Sequence, residues 1–488
     1  MLPVTVDRAD AAPLRTQIVR QLRAAMRDGR LVAGERLPSG RTLAAELGVS
    51  RTVVTEAYEQ LYAEGWIEGR HGSGTYVTDV VPAPETNDPI PKQIPYAGRV
   101  APPGAIDLRP GTAFAGALDT PAWRRAWRLA ATAPASERSD PHGLPGLRAE
   151  LAAYLRRGRG VACAPGQIVV TRGATNGLAL AAAALLRPGQ RAGVEEPGYG
   201  KAHAALAARG LEVVPCRVDD HGLVVADLPD DLALVYTTPA HQFPLGGVLP
   251  VPRRQALVAW ARRTGALIAE DDYDGEFRFD VGPLPALHGL DPDVVLYLGT
   301  TAKMLTARMG LGWLVARPDL AAAVARHRDL VNDRTSALAE EALRVLLERG
   351  DLERHVRRVR AEYARRRAVV TGALRGLDVR GSTAGLHVVV ALPAGTARRV
   401  RDEAAARGVL VDALDRYRTE PAEGSGLVIG YGAAASPDEL RTGCSLVRAL
   451  ARSAPPPGRR AAGAPAAGAR GPRGAADAAA ARPASPDR

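Results

Sequence analysis

The stretch QIVVTRGATNGLALAAAALL, residues 167–186, decides the fold of most of this chain. It begins as a β-branched run typical of a buried strand, passes through a loop of small residues, and continues as an apolar helix. The alternation recurs in strand-like runs at 191–194, 232–237, 266–270 and 294–299 and in helical patterns at 147–157, 201–210 and 253–263. Strands that alternate with helices predict an α/β fold on a parallel sheet.

A different pattern occupies the N-terminal region. Helical spacing begins at about residue 14. Ser39 can then cap a helix that runs to about Leu47, and Ser50 can cap another that runs to about Glu64, with a turn at Gly48. Two short helices joined by a tight glycine turn predict a helix-turn-helix.

The run WIEGRHGSGTYV, residues 66–77, follows and predicts a β-hairpin, or wing, with a glycine-rich tip. In a helix-turn-helix the second helix enters the DNA major groove through its N-terminal residues. The expected DNA contacts are therefore Arg41, Ser50, Arg51 and Thr52 in the helices, and His71, Gly72 and Gly74 in the tip. The alternative is a small helical bundle for protein contact, with its arginines in solvent.

Composition limits the remaining possibilities. The 488 residues are 46% hydrophobic and 24% charged, which suits two or three globular domains. No membrane span or secretory signal is apparent, and three scattered cysteines predict neither a disulfide framework nor a metal site, so we expect a cytoplasmic protein. The net charge of +11 does not identify the N-terminal region as a nucleic-acid-binding domain, because residues 1–80 hold ten arginines and ten acidic residues.

Proline and small residues set the expected domain boundaries. Seven prolines fall between residues 82 and 103, which predicts an extended linker over 81–104. Residues 453–488 are mostly Ala, Pro, Gly and Arg and predict a disordered tail. We therefore expect a DNA-binding domain at 1–80 and a large domain at 105–452.

The large domain holds four stretches of sequence whose residues could bind or react with a cofactor. Lysine occurs only at Lys92, Lys201 and Lys303, and Lys303 lies in a small-residue loop after a strand, a setting that suits a nucleophilic amine. Pyridoxal phosphate needs such an amine, a carboxylate for its ring nitrogen, an aromatic for its face and N–H donors for its phosphate. Lys303, Asp271, Tyr199 and the loop 173–176 can supply these in turn.

Two resemblances extend this interpretation. PSGRTLAAELGVSRTVV, AYEQLYAEGWI and GSGTYV resemble the winged helix of the GntR superfamily. RGATNGL, EEPGY, TPAHQFPLG, EDDYDGEF, GTTAK and STAGLH resemble, in this order, a fold-type I aminotransferase over residues 105–450. The resemblance implies a large domain with a parallel or mixed sheet and a small C-terminal α+β subdomain. Joined in one chain, the two regions resemble the MocR subfamily of transcriptional regulators.

The resemblance implies a role for each candidate residue. Lys303 would form the internal aldimine with pyridoxal phosphate, and the protein would be a homodimer that reads two half-sites of double-stranded DNA. The other implied contacts are Asp271 to the pyridine nitrogen, Tyr273 to the ring hydroxyl, Tyr199 stacked on the ring, His241 and Gln242 near it, and Thr300, Ala174 and Thr175 at the phosphate.

Two positions depart from the family pattern. The phosphate-gripping arginine expected seven residues after the lysine is replaced by Gly310, and the nearest arginine is Arg308. The arginine that grips a substrate carboxylate is replaced by Val428. A site without that clamp predicts poor transamination, because substrate orientation supplies much of the rate.

Three hypotheses follow. The first is a regulator whose large domain dimerises and senses pyridoxal phosphate or its amino-acid adduct. The second is an active aminotransferase with an appended DNA-binding module. The third is a cofactor-free relic that only dimerises, which Gly310 keeps open.

Overall fold

The computed structural model describes residues 2, 4–70, 73–79, 100–114, 116–134, 140–279, 282, 284–381, 384–419 and 425–453. Contacts divide the chain into two compact units, Met1–Arg99 and Val100–Arg488. Most of the predicted linker and nearly all of the predicted tail lie outside the described residues.

The N-terminal unit is a three-helix domain with a small antiparallel sheet. Its elements are α1 (Leu14–Arg27), β1 (Arg36–Leu37), α2 (Gly40–Leu47), α3 (Arg51–Ala63), β2 (Ile67–Arg70) and β3 (Gly74–Val77). Strand β3 pairs with both β1 and β2, so the predicted hairpin is present. Ile18, Leu22 and Met26 lie at helical spacing in α1 and are all buried in the core of this unit.

The large unit contains the remaining elements. Its strands are β4 (Ile106–Asp107), β5 (Ile168–Thr171), β6 (Arg191–Glu196), β7 (Glu212–Asp219), β8 (Gly222–Leu223), β9 (Leu232–Thr237), β10 (Leu267–Asp271), β11 (Val295–Thr300), β12 (Gly312–Val315), β13 (Val379–Arg380), β14 (His387–Leu392), β15 (Val409–Leu410), β16 (Asp412–Ala413) and β17 (Ser425–Gly430). Its helices are α4 (Pro121–Ala131), α5 (Pro145–Arg159), α6 (Ala174–Leu185), α7 (Gly200–Ala207), α8 (Val251–Thr264), α9 (Pro318–Leu330), α10 (Ala337–Glu348), α11 (Asp351–Ala373), α12 (Ala394–Ala405) and α13 (Pro437–Arg452).

An eight-stranded sheet in the order β5-β12-β11-β10-β9-β6-β7-β8 forms the centre of this unit. The predicted α/β class is confirmed, and of the two expected forms of the sheet, parallel or mixed, the mixed one is present. Strand β12 runs antiparallel to both of its neighbours. The physical reason is the short β11–β12 connection, which holds one 3-10 turn and no crossover helix, whereas a parallel connection needs a dozen or more residues.

A four-stranded sheet, β13-β14-β17-β16, forms the smaller subdomain. One face of β17 packs Leu427 and Ile429 into the main core, whereas the other face carries Val428. No helix within the described part of the chain is long and apolar enough to cross a membrane.

Candidate DNA-binding surface and candidate cofactor site

The helix-turn-helix is built from two serine-capped helices. The Ser39 hydroxyl accepts a backbone N–H at 3.1 Å and starts α2, and the Ser50 hydroxyl accepts one at 3.4 Å and starts α3. Gly48 ends α2 with a φ of 65°, a conformation that favours glycine. Arg51 and Thr52 are exposed on the first turn of α3, where a recognition helix presents its side chains.

The arginines of this unit fall into two groups. Six form ion pairs with carboxylates, namely Arg15, Arg20, Arg23, Arg27, Arg30 and Arg70, and Arg8 donates to the carbonyl of Gly48. Across the described residues, Arg36, Arg41 and Arg51 have neither an ion pair nor a side-chain hydrogen bond. The even charge balance of the unit therefore coexists with three uncompensated cations.

These three cations surround the junction of α2, α3 and the wing. Arg41 and Arg51 line one groove together with Thr75 of β3. Arg36 lies beside the wing, since a Cβ on Gly74, whose φ is 121°, would lie 2.9 Å from the Arg36 Nε. The groove therefore holds two arginines without ion pairs among the described residues, together with the carboxylate of Glu59.

Two of the predicted DNA contacts have no described position, and one further candidate was not predicted. His71 and Gly72 lie outside the described residues. Arg36 was missed by the sequence reasoning, because its place beside the wing depends on the pairing of β1 with β3, which local spacing does not reveal.

The acidic run 270–276 lies where β10 ends at the carboxyl edge of the large sheet. In four of its five carboxyl groups, no buried oxygen lacks a partner among the described residues. Glu270 accepts the backbone N–H groups of Leu287 and His288, Asp272 pairs with Arg159, Asp274 contacts His241, and Glu276 accepts the hydroxyl of Tyr154. These contacts hold the loop and leave one carboxylate for another use.

That carboxylate is Asp271. Its Oδ2 accepts the Tyr236 hydroxyl at 2.6 Å, while its Oδ1 is buried and has no hydrogen-bond partner among the described residues. Burial raises the pKa of Asp271 to about 7, although the Tyr236 hydrogen bond and the positive charge of Lys303 act to lower it. An unsatisfied buried polar atom costs about 1–3 kcal/mol, which a protonated ring nitrogen bound there would offset.

Lys303 lies in the loop after β11. Its Nζ donates to the backbone carbonyl of Gly111, and its charge is near enough to lower the pKa of Asp271. Lys201 is exposed at the start of α7, and Lys92 lies outside the described residues. Of the two lysines that the structure describes, Lys303 is the one beside a buried carboxylate.

Aromatic side chains surround this pair. The Tyr199 ring lies 6.0 Å from the Phe243 ring, and its hydroxyl is 3.3 Å from the Thr175 hydroxyl. Phe243 also contacts the rings of Tyr273 at 6.0 Å and His387 at 5.3 Å. Phe243 and His387 were not among the predicted site residues, since a single phenylalanine before a proline, or a histidine in a strand, gives no distinctive signal.

Gln242 is close to the site, but its amide is engaged by protein groups. Its Nε2 donates to the carbonyls of Pro197 at 3.0 Å and Phe243 at 2.7 Å, and its Oε1 accepts the backbone N–H of Leu245 at 3.0 Å. In this structure Gln242 therefore holds two loops together rather than presenting its amide to a ligand.

The predicted phosphate contacts lie at the N-terminus of α6. Gly173 precedes it with a φ of 110° and no side chain caps the helix, so the backbone N–H groups of Ala174 and Thr175 have no partner within the helix. A Cβ on Gly173 would lie 3.7 Å from the Thr300 hydroxyl oxygen, which places that hydroxyl beside the same turn. A helix N-terminus with a nearby hydroxyl is a suitable anion site.

Positions 310 and 428, at the edges of the candidate cofactor site, do not carry arginine. Gly310 has a φ of 60° and no atom within 4 Å of its would-be Cβ, while Arg308 is exposed two residues earlier. Val428 is fully buried in an apolar cluster with Val389 and Leu414. The chemistry of the ring end therefore fits pyridoxal phosphate, whereas the two arginine positions provide no positive charge.

Comparison with known proteins agrees with both units. Residues 112–446 match the aminotransferases of class I and II, and residues 14–77 match the gntR family of bacterial regulatory proteins. The chain is 37% identical over 434 residues to the HTH-type pyridoxine biosynthesis transcriptional regulator PdxR of Corynebacterium glutamicum, covering 88% of this chain and 94% of that protein. It is 33% identical over 494 residues to the probable rhizopine catabolism regulatory protein MocR of Rhizobium meliloti, covering 95% and 99%.

Solved structures confirm the fold of the large unit. An archaeal alanine:glyoxylate aminotransferase matches with a TM-score of 0.67 at 24% identity, covering 71% of this chain and 91% of that one. The kynurenine aminotransferase of Pyrococcus horikoshii matches with a TM-score of 0.66 at 22% identity, again covering 71% and 91%. At these identities the likeness shows the fold alone. The chain belongs to the MocR-type transcriptional regulators of the GntR family, in which a helix-turn-helix domain is joined to an aminotransferase-like domain of fold type I.

Proposed function

We propose that this regulator binds pyridoxal phosphate through Lys303 and uses the cofactor as its signal. The observation that carries the proposal is the unpartnered, buried Oδ1 of Asp271 beside Lys303. The cost of burying this oxygen without a partner would be offset by a hydrogen bond from the N–H of a bound ring. The PdxR relative, which by its name regulates pyridoxine biosynthesis, supports the same ligand.

Pyridoxal phosphate supplies an aldehyde that reacts with amines and a ring that withdraws electrons. In this chain Lys303 would provide the amine and Asp271 would accept the ring N–H. Tyr273 would donate to the ring oxygen, and Tyr199 would lie on the ring face. The phosphate would take the N–H groups of Ala174 and Thr175 and the hydroxyl of Thr300, with Arg308 as the nearest cation.

The apolar surroundings of Val428 favour a sensor over an aminotransferase. Val428 packs with Val389 and Leu414 and is flanked by Leu245 and Tyr417. A substrate carboxylate at this position would lose its hydration without gaining an ion pair, which is unfavourable. Steady-state assays with common L-amino acids and 2-oxo acids test this step. We expect no turnover at enzyme-like rates, and such turnover would favour the aminotransferase alternative.

On the DNA side, we propose that a homodimer reads two half-sites through Arg36, Arg41 and Arg51, and that it acts in the cytoplasm, where bacterial DNA is. These cations have no partner among the described residues, so binding phosphates or bases does not require breaking an ion pair. Arg51, on the first turn of α3, is the candidate for base recognition, and Arg41 is the candidate for a phosphate.

Arg51→Ala tests this assignment, with Arg15→Ala as the matched control. Arg15 is also exposed but pairs with Glu56. On an operator selected by the protein from random-sequence duplexes, Arg51→Ala should weaken binding by about five- to hundred-fold, because a base contact is worth about 1–3 kcal/mol. Arg15→Ala should bind as the wild type does. Equal losses in the two variants would contradict the assignment.

The signalling role is tested by operator affinity with and without pyridoxal phosphate. We expect the cofactor to change wild-type affinity by about five-fold or more, the usual range of a coupling of 1–3 kcal/mol, and to leave Lys303→Ala unaffected. A wild-type protein that takes up the cofactor without any change in operator affinity would contradict the role.

A further inference from the structure

A histidine and an aspartate lie behind Tyr273 and form a buried cluster with it. His241 follows β9 and Asp274 follows β10, which are neighbouring parallel strands. The His241 Nδ1 lies 2.8 Å from the Asp274 Oδ2 and 2.9 Å from the Tyr273 hydroxyl. Both His241 and Asp274 are only 2% exposed, so these contacts are shielded from water.

The hydrogen positions follow from which atoms can accept. The His241 Nε2 is buried and has no partner among the described residues. The tautomer with its proton on Nδ1 is therefore the one that leaves no buried N–H unpaired. Its Nδ1–H then donates to Asp274, whose carboxylate is also close enough to the Tyr273 hydroxyl to raise the pKa of that hydroxyl. Two donors thus compete for one carboxylate.

This competition matters to whatever binds in front of Tyr273. With His241 present, part of the hydrogen-bonding capacity of Asp274 is taken by the imidazole. Without it, the carboxylate would hold the tyrosine proton alone. We propose that His241, held by Asp274, is a positioning residue that keeps the Tyr273 hydroxyl proton available to the ring oxygen of bound pyridoxal phosphate. The inference rests on the proposed cofactor binding.

Other titratable groups lie around the cluster and do not change these protonation states. Burial, and then the negative charges of Asp274, Asp271 and Glu195, raise the pKa of Tyr273 well above its usual value, so the hydroxyl keeps its proton. Burial, together with His241 and Lys303, lowers the pKa of His387 to about 3. His387 is therefore a neutral neighbour whose Nε2 contacts the Pro244 carbonyl at 2.8 Å, and it does not compete for Asp274.

The test is a pH titration of the visible spectrum of the full-length protein loaded with pyridoxal phosphate. A hydrogen bond from Tyr273 stabilises the deprotonated chromophore. His241→Phe should therefore raise the titration midpoint by about one pH unit, a ten-fold change in proton affinity. His241→Asn, whose amide can still donate to Asp274, should stay near the wild type.

A double-mutant cycle separates positioning from a general effect. In a Tyr273→Phe background, His241→Phe should produce no further shift, because His241 acts only through the missing hydroxyl. Additive shifts, or an unchanged midpoint in His241→Phe, would overturn the inference and leave cofactor binding intact. A wild type that takes up no cofactor would instead overturn the proposed function, and the inference with it.

A second variant keeps the test valid if His241→Phe does not fold. Asp274→Asn removes the carboxylate that competes for the tyrosine proton, so the midpoint should move in the opposite direction, downward, by a similar amount. An upward shift would overturn the proposed arrangement.

Discussion

The ring end of the candidate cofactor site and its two arginine positions differ in what they retain. At the ring end Lys303 lies near Asp271, whose Oδ1 is buried without a partner among the described residues. At the phosphate margin Gly310 stands in open space, and at the carboxylate margin Val428 is buried among apolar side chains. The ring end therefore carries polar groups at a cost in stability, and the other two positions carry no charge.

This difference distinguishes the residues that would bind the cofactor from a residue that would orient a substrate for turnover. In the proposed function Lys303, Asp271 and Tyr273 would hold a pyridoxal ring, whereas an arginine at position 428 would orient an amino-acid substrate. A protein that reports the presence of the cofactor needs the first set and not the second. The apolar cluster at Val428 thus fits a sensor built on an enzyme fold.

Asp271→Asn tests the ring end and carries the largest expected effect. It removes the negative charge that would accept the ring N–H, and a hydrogen bond to a charged group is worth about 1.5–3 kcal/mol. Affinity for pyridoxal phosphate should fall by about ten- to hundred-fold, as measured by equilibrium dialysis. Glu270→Gln is a comparison at the adjacent residue, whose carboxylate accepts two backbone N–H groups away from the site. Asp271→Asn with wild-type affinity would remove the main support for the site.

The same substitution should make the empty protein more stable at alkaline pH. Burial raises the folded pKa of Asp271 to about 7, so the folded state holds more protons than the unfolded state between about pH 4 and pH 7. The free energy of unfolding of the wild type therefore falls as pH rises through this window. That of Asp271→Asn does not fall in this way, because asparagine does not titrate. The gain over the wild type should grow by about 2–3 kcal/mol between pH 5 and pH 8, as measured by urea unfolding. A constant difference would mean that Asp271 is not a buried, strained carboxylate.

Gly310→Arg should restore part of the lost phosphate grip, with the smallest of these effects. An arginine there would gain about 1.5–3 kcal/mol from a charged hydrogen bond and lose up to about 2 kcal/mol of side-chain entropy when it is ordered on the phosphate. Its left-handed backbone costs folding stability in the free and the bound protein alike. Cofactor binding should tighten by about two- to ten-fold.

Gly310→Ala is the matched control for this variant, because it carries the backbone cost without the cation. If Gly310→Arg and Gly310→Ala bind the cofactor equally, position 310 does not face the phosphate.

The elements with local signals were predictable from the sequence. The serine caps at Ser39 and Ser50 and the turn at Gly48 were correctly placed, because capping depends on residues three positions apart. The alternating strands and helices likewise predicted the α/β class. The antiparallel β12 was not predicted, since its direction follows from the length of a loop rather than from the strand's own residues.

The site was predictable in its chemistry but not in its connections. Asp271 and Lys303 were chosen from the needs of a cofactor, and the structure brings them together. The run 270–276 alone could not show that Asp272 is neutralised by Arg159, 113 positions away. Nor could it show that Asp274 faces His241. Such contacts between distant residues are set by sheet order.

The most direct test of the cofactor claim is the visible spectrum of the purified full-length protein with pyridoxal phosphate, before and after borohydride. We expect an absorption band that borohydride abolishes. Peptide mapping should then find the cofactor fixed covalently on Lys303. Lys303→Ala should show no such band. A wild-type spectrum without the band, or cofactor fixed equally on Lys201 or Lys92, would contradict the claim and leave the large unit without an assigned ligand.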